Sequence, residues 1–402
     1  MNNFKDRPLR MCALLTLLCV ALLPVNLFPR SRTGAANVPP SRLDRATVIA
    51  TDDAMVRRHV LMRTGQQGVT VRMDDGPHRG KEFTTVNLLS GRLDLDELYR
   101  PGDRILVEYE AAATEGAVIH PRPRGPDRLR PTGALVALFA ALLLGLAGLT
   151  GLKALLSFVF SALVLWKVFF PLLLRGAPPL LAGLAVTALL TAVIAFAVGG
   201  MNRRGLATFL GSMAGVATTC GLALIFTRAF RLHGAVRPFS ETLLYAGYSH
   251  LDLTQIFMAS IFVAASGALM DLAMDIAAAM EEIKIHSPGI GARAHCAAGI
   301  RVGRAVIGTM TTTLLLAYSG SHITMFLLFM ARGLPLLTML NAPMVAAEVM
   351  NILIGSFGLI TAAPFTAIVA AILYRDPRGS SKTDAAASLP RTSDPHAPAN
   401  PS

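Results

Sequence analysis

Asp271 and Asp275 lie four residues apart near the end of an apolar run at 256–276, so on a helix they share one face. A helix in that run crosses a membrane, and charged side chains at membrane depth normally face a bundle interior, a polar partner or a watery path. At ~1.5 Å per residue, Asp271 falls roughly 7–8 Å inside one boundary of the run, whereas Asp275 sits near the boundary itself. The next apolar run, 306–327, starts on the same side. It brings Thr309, Thr312 and Thr313 to a comparable depth, and the expectation is an inner polar cluster of Asp271 facing these hydroxyls. A second cluster is expected toward the opposite surface. Tyr318, Ser319, Ser321 and His322 lie late in 306–327, and Glu348 and Asn351, three apart and on one face, open the run 349–373. Histidine changes charge near neutral pH. Carboxylate, imidazole and hydroxyl groups at two depths are the chemistry of stations for a proton or cation.

Other chemistries lack their residues. No phosphate loop, His-Glu-x-x-His or Gly-x-Ser-x-Gly occurs, so no enzyme is expected. An intramembrane aspartyl dyad takes its acids from two helices, which two acids on one helix do not supply. The soluble-looking part carries Asp52, Asp53, Asp74, Asp75, Asp94, Asp96 and Glu97 but no calcium-loop spacing, and His295-Cys296 is adjacent rather than spaced as a zinc ligand pair. No metal and no cofactor is expected, and His295 is assigned to a surface loop.

The elements that position these groups are membrane helices. Of 402 residues, 53% are hydrophobic and 15% charged, and the mean hydropathy is +0.53. The excess apolarity falls in blocks of bilayer-spanning length. The net charge of +12 comes without a basic stripe interleaved with aromatics or a nucleic-acid-binding motif. It reads as topology and attraction to anionic lipid, with no nucleic acid among the partners. Of the four cysteines (Cys12, Cys19, Cys220 and Cys296), none lies in the exported segment, so no disulfide framework is expected.

In chain order, Lys5, Arg7 and Arg10 precede the apolar run 11–28, which reads as an uncleaved signal anchor. The weak cleavage candidate is Thr33-Gly34-Ala35-Ala36. Residues 31–130 are polar and turn-rich, with alternating strands expected at 46–50, 69–73, 82–88 and 105–109. They form a small β-rich, barrel-like extracytoplasmic domain ending in a stiff Arg-Pro-rich linker at 120–131. Seven further spans are expected at 132–151, 154–174, 177–199, 206–227, 256–276, 306–327 and 349–373. The segment 376–402 then reads as a disordered cytoplasmic tail. Lys153, Arg203-Arg204, Lys284, Arg293, Arg301, Arg304 and Arg375 fall on one side of this arrangement, which is therefore cytoplasmic, as are both termini. Arg228, Arg231 and Arg237 fall on the other side, against the rule. The intervening loop 228–255 suggests an interfacial helix with Tyr245 and Tyr248 at headgroup level. Gly211-x-x-x-Gly215 fits close helix approach.

Several stretches resemble the YibE/F family of bacterial membrane proteins. They are Gly267-Ala268-Leu269-Met270-Asp271 with Glu282-Ile283, then Gly308-Thr309-Met310 through Thr313-Leu314 to Ala317-Tyr318-x-Gly320. Asn341 with Glu348, Gly355-Ser356-x-Gly358 and Pro364-x-Thr366 complete the set. The order of anchor, soluble domain and membrane block is also similar. The chain departs from the family pattern at Ala305, where an Asp is common after Gly-Arg, and at Thr312, where an Asn is usual. The resemblance implies a protein of the bacterial cytoplasmic membrane and hints at transport.

The resulting expectation is a mostly α, eight-span helix bundle with a small β-rich domain between spans 1 and 2. It is permease-like, with proton- or cation-coupled movement of a small solute or ion. Its polar path runs through Asp271, Thr309, Thr312, Thr313, His322, Glu348 and Asn351, and its partners are the lipid bilayer and further copies of itself. The alternative is a non-transporting scaffold or sensor whose extracytoplasmic domain binds a cell-envelope partner. Whether the acids face a cavity distinguishes the two.

Overall fold

The structure is a computed structural model describing residues 6–25, 41–110 and 121–375. The cleavage candidate at 33–36 and the tail at 376–402 lie outside them. The chain divides into two compact units: residues 31–146, and residues 1–30 together with 147–402.

In the first unit, β1 (Ser41–His59), β2 (Met62–Met73), β3 (Glu82–Ser90), β4 (Arg104–Glu110) and β5 (Arg122–Pro126) form one antiparallel sheet in the order β3-β2-β1-β4-β5. Because strand side chains alternate in direction, Ala46, Val48, Val69, Val71, Met73, Ile105, Val107 and Tyr109 all point to one side and make the core. The sheet curls until Thr85 of β3 donates to the carbonyl of Pro121 beside β5, a half-barrel. Inside it the Tyr109 hydroxyl donates to Asp44, which Arg42 also holds at 3.0 Å. Burial first, then the bond to Asp44 and its charge, push the Tyr109 hydroxyl up to about 12. The expected stiff linker is corrected in part. Arg122–Pro126 is an edge strand paired to β4, where Pro123 sits without breaking an interior ladder.

Helix α1 (Asp6–Leu22) precedes the sheet. After the sheet come α2 (Leu129–Val164), a wider turn at Leu165–Phe169, and α3 (Phe170–Leu174). These are followed by α4 (Pro179–Gly199), α5 (Arg203–Ala229), a single 3-10 turn and α6 (Ser240–Tyr245). The chain continues through α7 (Leu253–His286), α8 (Ala292–Ser321), α9 (Ile323–Ala331), α10 (Leu336–Asn341) and α11 (Pro343–Leu373). Among the described residues, six helices are long and apolar enough to cross a membrane, and Met11–Leu22 is a shorter apolar one. The first of the six, Leu129–Leu174, covers both expected runs 132–151 and 154–174. Gly148 interrupts it with φ 53° and ψ −128°, a conformation outside the helical region.

In the second unit α7 is central, packed by α4, α5, α8 and α11, with Phe262, Leu269, Leu272 and Ile276 shut from solvent. Helices in lipid gain by close packing rather than by hydrophobic drive. α5 and α11 show it: a Cβ on Gly211 would run into Thr366, and one on Gly215 would stand 2.8 Å from Ala362. Two expectations are corrected. α7 and α8 run well past the apolar stretches, to His286 and from Ala292, because helices continue into polar sequence beyond the depth that hydropathy marks. His295 is therefore in α8, not a surface loop. It is buried, with Nε2 2.8 Å from the Met280 carbonyl. The expected span 306–327 also breaks at His322, and the apolar segment beyond it forms the short helices α9 and α10, with no buried side chain in either.

Candidate functional site

α11 starts with Pro343 in its first turn, where a fixed φ and a missing N–H cost nothing. Five residues on, about 8 Å along the axis, comes Glu348, and one further turn brings Asn351 to the same face. Both are buried, at 2% and 4% exposure. Glu348 Oε2 accepts from Arg237 at 3.1 Å and lies 3.7 Å from His322 Nε2. Arg237 comes from the segment between the 3-10 turn and α6, and its guanidinium lies 5.3 Å from the Phe257 ring centroid, a cation–π arrangement. Glu348 Oε1 and Asn351 Oδ1 are buried with no hydrogen-bond partner. Beside them opens a cavity of ≈ 370 Å³, lined also by Ser240, Ser260, Tyr318 and Ser321. Both residues line this space, while the two unused oxygens themselves are shut off from it.

His322 Nδ1 lies 3.0 Å from both the Tyr318 carbonyl oxygen and the Ser321 hydroxyl, and its Nε2 faces the carboxylate. Arg237 also holds Glu348 Oε2.

The inner cluster differs from expectation. Asp271 is exposed on a face of α7 that also carries Ser260, Ala264, Gly267 and Asp275 at helical spacing. From Ser260 to Asp271 is eleven residues, about 16 Å along the helix, so this face leads from the cavity toward the other end. Thr309, Thr312 and Thr313 are exposed on α8 and bond their own helix, to the carbonyls of Val306 (2.8 Å), Gly308 (3.0 Å) and Thr309 (2.9 Å). Threonine hydroxyls in helices commonly bond back to the preceding turn. No hydrogen bond joins Asp271 to them among the described residues.

The structure thus brings Glu348, Asn351 and His322 together and leaves Asp271 and the threonines on outward faces. Sequence reasoning missed Arg237 and Phe257. A signal for Arg237 was present: with Arg228 and Arg231 it ran against the charge pattern of the expected topology, and it pairs with the buried Glu348.

At the other end of the bundle the helices close tightly. Tyr374 donates to the Ala277 carbonyl at 3.1 Å, and Met280 and Ile276 are fully buried.

Comparison with known proteins finds that the family of YibE/F-like proteins matches residues 135–376. No curated protein and no solved structure matches the chain.

Proposed function

The chain belongs to the YibE/F-like family, and on that premise we propose that it is a permease-like membrane protein whose transport of a small solute or ion is coupled to a proton or cation at Glu348. One observation carries the reading. A buried carboxylate with an unused oxygen stands between a fixed cation and an imidazole, at the edge of a cavity that also exposes hydroxyl and amide groups. Intramembrane acids in such settings serve relays and ion sites. Tight closure at the opposite end of the bundle suits a state open to one side only, which alternating access requires.

We read eight spans in the bacterial cytoplasmic membrane with both termini inside. Gly148 divides Leu129–Leu174 into two pieces, of 19 and 26 residues, each of bilayer length, and α1 supplies the remaining crossing. The outward Asp271 supports a homo-oligomer, because an acid at membrane depth does not face lipid unaided and the small residues beside it let a second copy approach. No catalysis enters this reading.

Reconstitution in liposomes, with flux of protons, monovalent cations and small anions followed in turn, tests it. Glu348→Gln abolishes coupled flux, and Asp271→Asn reduces it without abolishing it. Absence of flux under every condition, or flux indifferent to both changes, overturns the proposal.

A further inference from the structure

The hairpin of β1 and β2 outruns its neighbours. β4 pairs β1 only over Ser41–Thr47, whereas the pairing with β2 continues to His59 and Met62. At its tip stand Val60 (102% exposed), Leu61 (75%) and Met62 (50%), beside the exposed Leu93 and Leu95 of the loop after β3. This is the reverse of the Asn-Gly chemistry of a hairpin turn in water. Val60, a β-branched residue, even takes a left-handed backbone there, φ 54°. Around the tip lie Arg57, Arg58 and Arg63, none in an ion pair among the described residues. The nearby acids are engaged internally. Asp94 pairs with Arg92 at 2.8 Å, Asp96 accepts from Ser90 and the Arg92 amide, and Asp53 accepts from Gln67.

Strand direction tells which way this tip points. β1 and β5 are both antiparallel to β4, so β5 runs the way β1 runs, toward the tip. β5 ends at Pro126, level with Ile105 and Ala46, and the apolar helix begins at Leu129. Arg128, at that helix start, pairs with Glu97 of the loop that carries Leu93 and Leu95. The chain thus leaves the sheet heading toward the apolar end, from a level thirteen residues short of His59 along β1.

We propose that this end, Val60–Met62 with Leu93 and Leu95, docks into the surface of the bilayer, with Arg57, Arg58 and Arg63 on the headgroups of anionic lipid. Leu61 and Leu93 also line a small cavity of ≈ 210 Å³ with Arg63 and Arg92. What favours lipid over a protein partner is the fully exposed Val60 beyond it, the basic collar and the direction in which the chain leaves the sheet for an apolar helix. Apolar insertion with a basic collar is how an interfacial anchor combines burial with charge attraction. The inference stands apart from the transport reading and needs only that the chain enters a membrane.

A depth-quenching experiment on the full chain tests it. The four native cysteines are replaced by serine, and Leu61→Cys carries an environment-sensitive fluorophore. The protein is reconstituted in vesicles of phosphatidylcholine with phosphatidylglycerol, some acyl chains being brominated. The expected result is blue-shifted, bromine-quenched emission at position 61, with a probe at Arg79→Cys on the opposite turn remaining water-like and unquenched. Each arginine neutralised to glutamine lowers the docked-to-free ratio about fivefold, as does replacement of the anionic lipid to a matching degree. Met62→Cys serves should the first variant misfold. Emission at 61 and 62 as water-like as at 79 overturns the proposal. So does quenching indifferent to lipid charge and to the arginines, and so does protection that appears in detergent without lipid and grows with protein concentration, which marks a second copy as the occupant.

Discussion

Gln67 in the β domain and Asn351 in the helix bundle are both side-chain amides shut away from solvent, at 0% and 4% exposure. Gln67 uses its whole capacity. Its nitrogen donates to Asp53 and to the Tyr99 carbonyl, and its oxygen accepts from Asn87 and the Tyr99 amide. Asn351 leaves its oxygen with none, next to a carboxylate whose Oε1 is equally unserved. A buried acceptor without a donor is a standing cost, so a protein keeps it where something else is gained. The first network stitches β2, β3 and the loop after it into one shape. The second leaves two acceptors unserved in residues that line a cavity, and on the proposed function their partner comes from it.

This contrast can be broken experimentally. Gln67→Leu strands the Tyr99 amide and carbonyl, takes one partner from Asn87 and leaves Asp53 to solvent, and costs about 2–4 kcal/mol in denaturant unfolding followed on the β domain. A loss below about 1 kcal/mol would show the network to be ornamental.

The Asp44–Tyr109 pair gives the next largest effect, through pH. The hydroxyl is pushed up to about 12 when folded and returns to its ordinary 10 when unfolded. The stability it contributes is therefore complete below pH 10 and lost as pH rises through the folded value, roughly 3 kcal/mol in all. A stability titration between neutral pH and strong alkali detects this loss, and Tyr109→Phe removes that part of the slope.

Asn351→Leu sharpens the comparison from the other side. It removes an acceptor that no protein group serves, so thermal stability in detergent stays within about 0.5 kcal/mol or rises. Flux through the reconstituted protein nevertheless falls. A large destabilisation would mean that the amide is structural, as Gln67 is.

Which of this was legible in the sequence follows from the physics of each signal. Hydropathy reports immersion, so it located the crossing segments but ended α7 and α8 too early, where Glu281, Glu282 and Lys284 or Arg293 and Arg301 continue the helices in polar sequence. The start of α9 read as the end of the span 306–327, whereas the rest of it and α10, too short to span, read as loop although their side chains are strongly apolar. Alternation revealed parts of β1 to β4, but Arg122–Pro126 has no alternation and two prolines, and only pairing to β4 makes it a strand. Glu348, Asn351 and His322 were found by type and depth. Depth says nothing of azimuth, so Asp271 was placed opposite threonines that it does not meet. Arg237 arrives from a distant segment, 111 residues before Glu348, and such a pairing has no local signature.

β5 has one further consequence. It forms an outer margin of the sheet, and Pro123 removes a main-chain donor there while Arg122 adds a positive charge, Arg124 being paired with Glu108 of β4. An approaching strand from a neighbouring molecule would find a gap in the ladder beside a charged side chain. Anchored proteins are concentrated in two dimensions, where unprotected margins zip into aggregates. The proline-arginine run blocks that route at this margin, so the domain can be crowded on a membrane without polymerising through β5.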